Sequence, residues 1–558
     1  RLTHIGSDGY IDRGATDLKS YLFQGGYYNG RTMVKLLSFG GKAKTGLTYT
    51  GATKEEMRLN GRRFHTEGMY YTSNGPHSYY YMKDGERQRA TVDYYDDQTD
   101  NYLQINNQLV LSHRFNEKWT LNATGFYTYG YGYYKQYKDD AELAEYVNLD
   151  TEIQEADLIR EKIMRNHLGG LNASASYTSR ALDLNFGGSW SYYTCPHWGE
   201  LDWVDGMDAG AIGGRWYDND VDKHDANLFA RVNWSVAKGL RLFADLQYRY
   251  VSYQAWGVND NYVSEEVGMQ PIDVDKQYHF FNPRAGVSYT LAERNNFYLS
   301  FAVAQKEPTR SDFTDRYMFT ADYTYPSSEK LYDWELGYTY TAPRLSLGVN
   351  LYYMKYKDQL VPTGMVNDGS DALNTNVSDS YRRGVELSAS WRATGWFTVG
   401  ANATFSQNRI ENYTELRTVY DNDEDWNVIS DGPVALGTTK LAYSPETIAN
   451  LILDFHYGGF EAAFHTQYVG EQYFANNEND ALSLDAYCVT NLNLSYSFRT
   501  RNARRIRLGL QVNNLFNAEY ENNGYGYSTW FRDSPSQHTA LYFPQAPLNV
   551  LANVTVKF

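Results

Sequence analysis

The chain has 558 residues with 51 Lys or Arg against 67 Asp or Glu, a formal net charge of −16, which excludes a nucleic-acid binder that needs a basic surface to displace counterions. Two cysteines, Cys195 and Cys488, with no CxxC nearby exclude a zinc pattern and a disulfide framework and leave open whether the two pair. Hydrophobic residues make up 42% and the mean hydropathy is −0.61, so no run approaches the ~20 consecutive apolar residues of a membrane helix.

In chain order, the opening "RLTHIGSDGYIDRG" shows no initiator Met, basic n-region or apolar h-region, so a chain that begins partway through a longer polypeptide is expected. Period-two alternation follows. "KWTLNATGFYTYGYGYYKQY" sets Trp119, Leu121, Ala123, Tyr127, Tyr129, Tyr131 and Tyr133 against Thr120, Asn122, Thr124 and Thr128. "GLRLFADLQYRYVSY" sets Leu240, Leu242, Ala244, Leu246, Tyr248 and Tyr250 against Arg241, Asp245, Gln247 and Arg249. "RLSLGVNLYYMKY", "RGVELSASW" and "RIRLGLQVNN" repeat the pattern, and the chain ends on it in "NVLANVTVKF". Strands are expected near 1–5, 17–28, 31–45, 101–115, 117–138, 162–178, 182–196, 224–236, 239–256, 277–291, 295–305, 329–341, 344–358, 379–392, 395–410, 437–455, 458–473, 483–499, 503–521 and 545–558. That is about twenty.

The connections alternate in length. "YNGR" (28–31), "FNEK" (115–118), "TSRA" (178–181), "VAKG" (236–239), "RATG" (392–395) and "YGGF" (457–460) are tight turns. The stretches 46–100, 139–161, 197–223, 257–276, 306–328, 359–378, 411–436 and 522–544 are expected to be long loops. Many strands exceed ten residues, longer than the strands of soluble sandwiches, and their non-apolar faces carry Arg, Asp, Asn and Gln. A transmembrane antiparallel β-barrel, apolar outside and polar inside, has this layout and evades hydropathy averaging. The fold class expected is all-β, with residues 1–558 as one transmembrane barrel domain.

No G-x-S-x-G, H-E-x-x-H or P-loop occurs, and the "GYG" at 130–132 sits within a strand, so no enzyme is expected. In the 46–100 loop, His65 and His77 offer candidate haem ligands, against a plainer role in loop packing. Cys195, Pro196 and His197 mark a strand end. Trp203, Trp216, Tyr217, Tyr323, Tyr325, Trp426, Tyr525, Tyr527 and Trp530 fall in long loops, where rigid rings with a polar edge suit ligand contact. Arg215 and Arg532 suit an anionic chelate. Asp218, Asp220 and Asp222 alternate as in a calcium loop, but Lys223 replaces the glycine at position six and Phe229 the glutamate at position twelve. Calcium in outer loops is therefore an expectation short of an EF-hand, with a solvated acidic loop beside it; no cofactor is required.

"LGLQVNNLFNAEY" (508–520), the closing "NVTVKF", "FFNPRAGVSYTLAERNNFYLSFAVAQKEPTRSDFTD" (280–315), "SEKLYDWELGYTY" (328–340) and "YRRGVELSASW" (381–391) together resemble TonB-dependent outer-membrane receptors. The resemblance implies a 22-stranded barrel, of which about 20 strands lie in this chain, and an N-terminal plug with a TonB-contacting box that are expected outside it. In that family a terminal aromatic, here Phe558, is what the insertion machinery reads. It further implies active import across the outer membrane of a Gram-negative bacterium. The partners would be outer-membrane lipid, the TonB complex through the N-terminal region, and a small metal chelate, with a surface lipoprotein as a further candidate and no nucleic acid. A ferric siderophore is the ligand expected first; a haem or cobalamin receptor of the same family, a passive diffusion porin and a structural or adhesive barrel are the alternatives.

Overall fold

A computed structural model describes residues 1–146, 149, 151–315, 325–366, 372–500 and 504–557; Tyr323 and Phe558, both singled out above, lie outside them. Strand accounts for 72% of the described residues and helix for 4%. The strands are β1 Leu2–Ser7, β2 Thr16–Tyr28, β3 Thr32–Gly46, β4 Met69–Tyr71, β5 His77–Lys83, β6 Glu86–Tyr94, β7 Thr99–Arg114, β8 Trp119–Glu142, β9 Glu155–Thr178, β10 Leu182–Thr194, β11 His197–Val204, β12 Tyr217–Ala237, β13 Leu240–Ser264, β14 Gly268–Leu291, β15 Asn295–Lys306, β16 Glu329–Ala342, β17 Leu345–Val366, β18 Ala372–Arg392, β19 Phe397–Tyr420, β20 Val428–Lys440, β21 Thr447–Tyr457, β22 Phe460–Val469, β23 Gln472–Tyr473, β24 Ser483–Leu484, β25 Tyr487–Phe498, β26 Arg505–Asn513, β27 Glu521–Phe531, β28 Gln537–Pro544 and β29 Asn549–Lys557. Two short helices, α1 Lys54–Asn60 and α2 Arg310–Thr314, interrupt them.

The chain divides into two compact units. The first holds Arg1–Trp234, Ala244–Pro283 and Thr309–Tyr325. In it β1, β2, β3, β7, β8, β9 and β10 pair antiparallel in chain order, and β10 then pairs with β12. The register sets Leu36 opposite Leu109, Gly125 opposite Leu171, and Leu171 opposite Trp190. The second unit holds Ser235–Phe243, Arg284–Pro308 and Pro326–Phe558. There the ladder runs β15, β16, β17, β18, β19, β21, β22, β25, β26, β29, each antiparallel to the next.

Within each unit the alternation is inside out. Leu347, Val349, Leu351 and Tyr353 of β17 are exposed, while Ser346, Gly348, Asn350 and Tyr352 between them are half-buried. Register aligns such residues across strands: Leu299, Leu336, Leu351, Val385 and Phe405 form one row, with Leu299, Leu336 and Phe405 each about half exposed at 51%, 50% and 51%. A water-soluble sheet buries the apolar face; continuous exposed apolar rows mark a surface that meets another apolar phase. Buried clusters occur instead near the strand ends far from the tight turns, such as Val361, Val377, Ile410, Tyr413 and Leu441.

Several expected loops turn out to be strand. The stretch 139–161 is strand at both flanks, where β8 runs on to Glu142 and β9 starts at Glu155, with Lys135 opposite Glu161 and Lys138 opposite Leu158 before a bulge. The stretch 359–378 pairs Gln359 with Val377 through Val361 with Thr375, and 522–544 is the β27–β28 hairpin. These extensions have both faces polar or packed, so the alternation that reveals a strand is lost although the backbone bonds continue. One expected strand, 437–455, is two: β20 and β21 both pair with β19, at its far and near halves. Leaving out the short pairings of β4 to β6 and of β23 with β24, twenty-four strands are counted among the described residues, against about twenty expected.

Another expected strand, 503–521, stops at Asn513, and the "NNLFN" run explains why. Asn514 adopts φ 50° and Asn517 φ 55°, a left-handed backbone that Asn tolerates. The buried Asn514 side chain donates to the carbonyls of Ala518 (2.8 Å) and Ala546 (3.2 Å) and accepts from the Ala518 amide. Its own amide donates to Asn491 Oδ1 at 2.9 Å, and Asn517 Oδ1 accepts from the Leu548 amide. One turn thus ties the end of β26 to β25 and to the start of β29. Asn514→Ala is expected to lower unfolding stability by about 2–4 kcal/mol, from stranded buried polar groups plus the φ penalty. Phe516→Ser, at an exposed position of the same turn, is expected to stay within about 0.5 kcal/mol. Urea unfolding of both variants checks this, and equal losses would contradict it.

Candidate ligand-binding loops

In the first unit, β11 pairs with the far part of β9, and His197–Gly199 pair with Tyr217–Asn219 of β12. Arg215 lies just before β12. Its guanidinium pairs with the Asp218 carboxylate, lies 4.0 Å from Glu200 and stacks 4.4 Å over Trp198. Trp216 and Tyr217 are not open loop aromatics. They are 2% and 5% exposed, in a cluster with Leu143, Leu158, Val204 and Met269, because the chain enters β12 at this point and carries both rings into the packed extension. Lys162 Nζ donates to Asp260 Oδ2 at 2.5 Å below Trp216; burial opposes the charge on Asp260, yet the neighbouring ammonium holds this carboxylate below its ordinary pKa. Trp203 remains exposed. Exposed Tyr325 donates its hydroxyl to the Asp273 carbonyl at 3.0 Å, with Lys276 5.1 Å over its ring.

The acidic run is a straight strand. Asp218, Asp220 and Asp222 share one face of β12, about 6–7 Å apart in succession, and each has its own partner. Asp218 meets Arg215, Asp220 Oδ1 accepts from the Val221 amide, and Asp222 Oδ1 accepts from the Tyr192 hydroxyl at 2.7 Å. Among the described residues no three His, Cys, Asp or Glu side chains are grouped so as to hold a metal ion. Cys195 and Cys488 are both free thiols, the first buried and the second exposed.

In the second unit, the β27–β28 hairpin reaches the tip of β19, with Trp530 and Phe531 beside Val419 and Tyr420 in a short parallel pairing. Arg417 lies 3.8 Å over the Trp530 ring, whose other neighbour is His538 at 5.3 Å. Trp426 packs edge-on against Phe531 at 5.1 Å and against Tyr420 at 5.3 Å, and its Nε1 donates to the Asp423 carbonyl. At this tip the two tryptophans have separate partners: Trp426 packs on Phe531 and Tyr420, whereas Trp530, on the face of β27 opposite Phe531, meets Arg417 and His538. Tyr525 and Tyr527 lie on the same face of β27 as Phe531, opposite Trp530; Tyr525 meets Phe543 at 6.0 Å and Tyr527 is 49% exposed. Arg532 is held by Asp533 through two bonds, so its charge is already matched. Arg417 and His538 escape sequence reading: both act through Trp530, more than 100 residues from Arg417, and nothing local announces that pairing.

His65 does not fit a haem ligand. It is 2% exposed, its Nε2 bonds the Asp12 carbonyl at 2.6 Å and its Nδ1 accepts from the Glu67 amide. Arg13 caps the group, bonding the His65 carbonyl at 2.8 Å and stacking 3.6 Å over Tyr94. Its local chemistry is that of a loop anchor.

A family model described as TonB dependent receptor-like, beta-barrel matches residues 42–515. The structure is similar to the ferric-catecholate import receptor Fiu from K12 E. coli, at TM-score 0.67 and 15% identity over 99% of this chain and 77% of that one. It is similar as well to the ferric yersiniabactin uptake receptor FyuA from Yersinia pestis, at TM-score 0.68 and 14% identity over 100% and 74%. At these identities the likeness shows the fold. In sequence, the pesticin receptor of Yersinia enterocolitica is 26% identical over 200 residues, a match that covers 36% of this chain and 26% of that receptor.

His65 gives this part of the molecule a pH dependence. Burial, with the Arg13 charge added, lowers its pKa to about 4. Between about 4 and 6.5 the unfolded imidazole binds a proton that the buried one refuses, so local stability falls as pH drops through that window. Amide exchange of residues 61–70, corrected for intrinsic rate, is expected to rise from pH 7 to pH 4.5 in the wild type and to be much flatter in His65→Gln. A rise of the same size in both would contradict this.

Proposed function

The chain belongs to the TonB-dependent receptor-like β-barrel family, and from that premise we propose that it is the barrel of an outer-membrane active transporter that captures a ferric siderophore and passes it to the periplasm. The family and its structural neighbours are receptors and transporters. The observation that carries the reading is the pairing of two surfaces on one ladder. Exposed apolar rows such as Leu299–Leu336–Leu351 suit lipid, and the far strand ends carry aromatic rings backed by cations, Trp530 under Arg417 above all. A ferric chelate is bulky, often aromatic and often anionic. Rigid rings bind its organic face at low entropy cost, and Arg417, itself paired with Glu415, holds the Trp530 ring in place. Energy for release on the periplasmic side would come from the TonB complex acting through a plug.

Binding is tested on the natural full-length protein by tryptophan quenching against ferric catecholate, ferric hydroxamate, ferric citrate, haem and cobalamin. Saturable binding of a ferric chelate, weakened roughly ten- to a hundredfold by Trp426→Ala or Trp530→Ala, is the expected result. Saturable binding of haem or cobalamin alone would replace the siderophore with that ligand, and no binding to any of the five would sink the reading.

The membrane assignment makes its own prediction. Leu387→Arg, on the exposed apolar face of β18, should cost about 2–4 kcal/mol of folding into bilayers, whereas Glu386→Gln on the opposite face should cost under about 1 kcal/mol. Equal effects would contradict an apolar phase on the Leu387 side.

A further inference from the structure

The tight turns of the second unit form a continuous rim. The Gly239 carbonyl accepts from the Thr290 amide at 2.8 Å, Arg294 from Thr341, Arg344 from Arg392, Trp396 from His456 and Gly459 from Ser497, each also at 2.8 Å. Each turn is therefore stitched to the strand that leads into or out of a neighbouring one. At two strand spacings from turn to turn, about 10 Å, successive turns lie close to one Debye length apart, so their charges act together.

That rim is cationic in a chain whose net charge is −16. Lys238, Arg294, Arg344, Arg392, Arg499 and Arg504 are all exposed, and Glu293 is the one carboxylate among the described residues of these turns. None of the six cations is in an ion pair among the described residues. Several cations far from the turns are matched by carboxylates, Lys357 by Asp379, Arg409 by Glu446 and Arg417 by Glu415, while Arg382 and Arg383 there bond neutral side chains of Ser444 and Gln407. Close to the turns, Arg507 is neutralised by Glu461 at 2.9 Å. In the first unit, Arg31 and Arg180 occupy the tight turns, exposed and in no ion pair among the described residues.

A second observation fixes the depth of the rim. Trp391, Trp396, Tyr457, Phe460 and Tyr496 lie within three residues of these turns and are exposed, Tyr457 by 81%. Tyr and Trp in such a band sit at the level of lipid headgroups. Cations one or two residues beyond the band then lie at the level of the phosphates. Guanidinium forks match phosphate oxygens in pairs.

We infer that the tight-turn rim is a binding surface for anionic glycerophospholipid headgroups, of the phosphatidylglycerol class, in the leaflet at that end of the barrel. The inference rests on the membrane-spanning reading above and adds a lipid preference to it. Lipid phosphates there supply the counter-charge that the chain itself provides elsewhere, and they bind the barrel at a fixed depth.

The test reconstitutes the natural full-length protein into nanodiscs of mixed phosphatidylcholine and phosphatidylglycerol and counts, by native mass spectrometry, the lipids that stay bound. Phosphatidylglycerol is expected to be enriched roughly two- to fivefold over its bulk share, with the enrichment falling in high salt. The K238Q/R294Q/R344Q/R392Q variant should lose it, and the charge-conserving R294K/R344K/R392K variant should keep most of it, which separates charge from a folding defect. No enrichment, or equal enrichment in the Gln variant, overturns the inference while leaving the barrel in its membrane. Failure of the wild type to enter any bilayer would overturn the membrane reading, and the inference with it.

Discussion

The structure depends on one constraint: a backbone amide or carbonyl that meets an apolar medium without a partner costs several kcal/mol. The ladder of the second unit answers it strand by strand, from β15 through β29, with an antiparallel neighbour on each inner edge. Because the ladder consumes the backbone groups, the side chains alone decide which face meets which phase. That is why Leu351 and Asn350, adjacent in sequence and identical in backbone role, differ in exposure in the sense opposite to a soluble protein.

Away from the tight turns the same ladder continues under different rules. Strands β8, β9, β17, β18 and β19 each run past 20 residues, and their far ends no longer need an apolar face. Ion pairs appear there, Lys162 with Asp260 and Lys355 with Asp379 and Glu411, together with small buried clusters that bind hairpins to strands. The ligand-facing chemistry proposed for this chain is built on these extensions, so its rings are held by ladder and packing. Trp530 is an example: its backbone pairs with β19 while its ring lies between Arg417 and His538.

Legibility in the sequence followed the alternation. Where one face is apolar, as in "RLSLGVNLYYMKY", the strand and its two faces are legible, since period two has no other structural meaning over that length. The extensions were hidden because Lys135 opposite Glu161 and Gln359 opposite Val377 carry no periodic apolar signal. The "NNLFN" run was read as strand, although two asparagines with positive φ end it. Site residues were less legible. Trp426 and Trp530 lie at one tip with separate partners, whereas Trp216 and Tyr217 are core, and Arg417 escapes notice because its partner lies far along the chain. An aromatic in a connection says nothing by itself about whether it covers a core or awaits a ligand.

The central claim is that the alternating strands stand in lipid with their apolar faces outward. Spin labels placed one at a time at residues 346–351 of β17, in the natural full-length protein in bilayers, measure it most directly through collisions with oxygen and with a water-soluble nickel chelate. The account predicts a period of two: oxygen-accessible and nickel-protected at Leu347, Val349 and Leu351, the reverse at Ser346, Gly348 and Asn350. A profile with no alternation, or one with the polar positions in lipid, would contradict it.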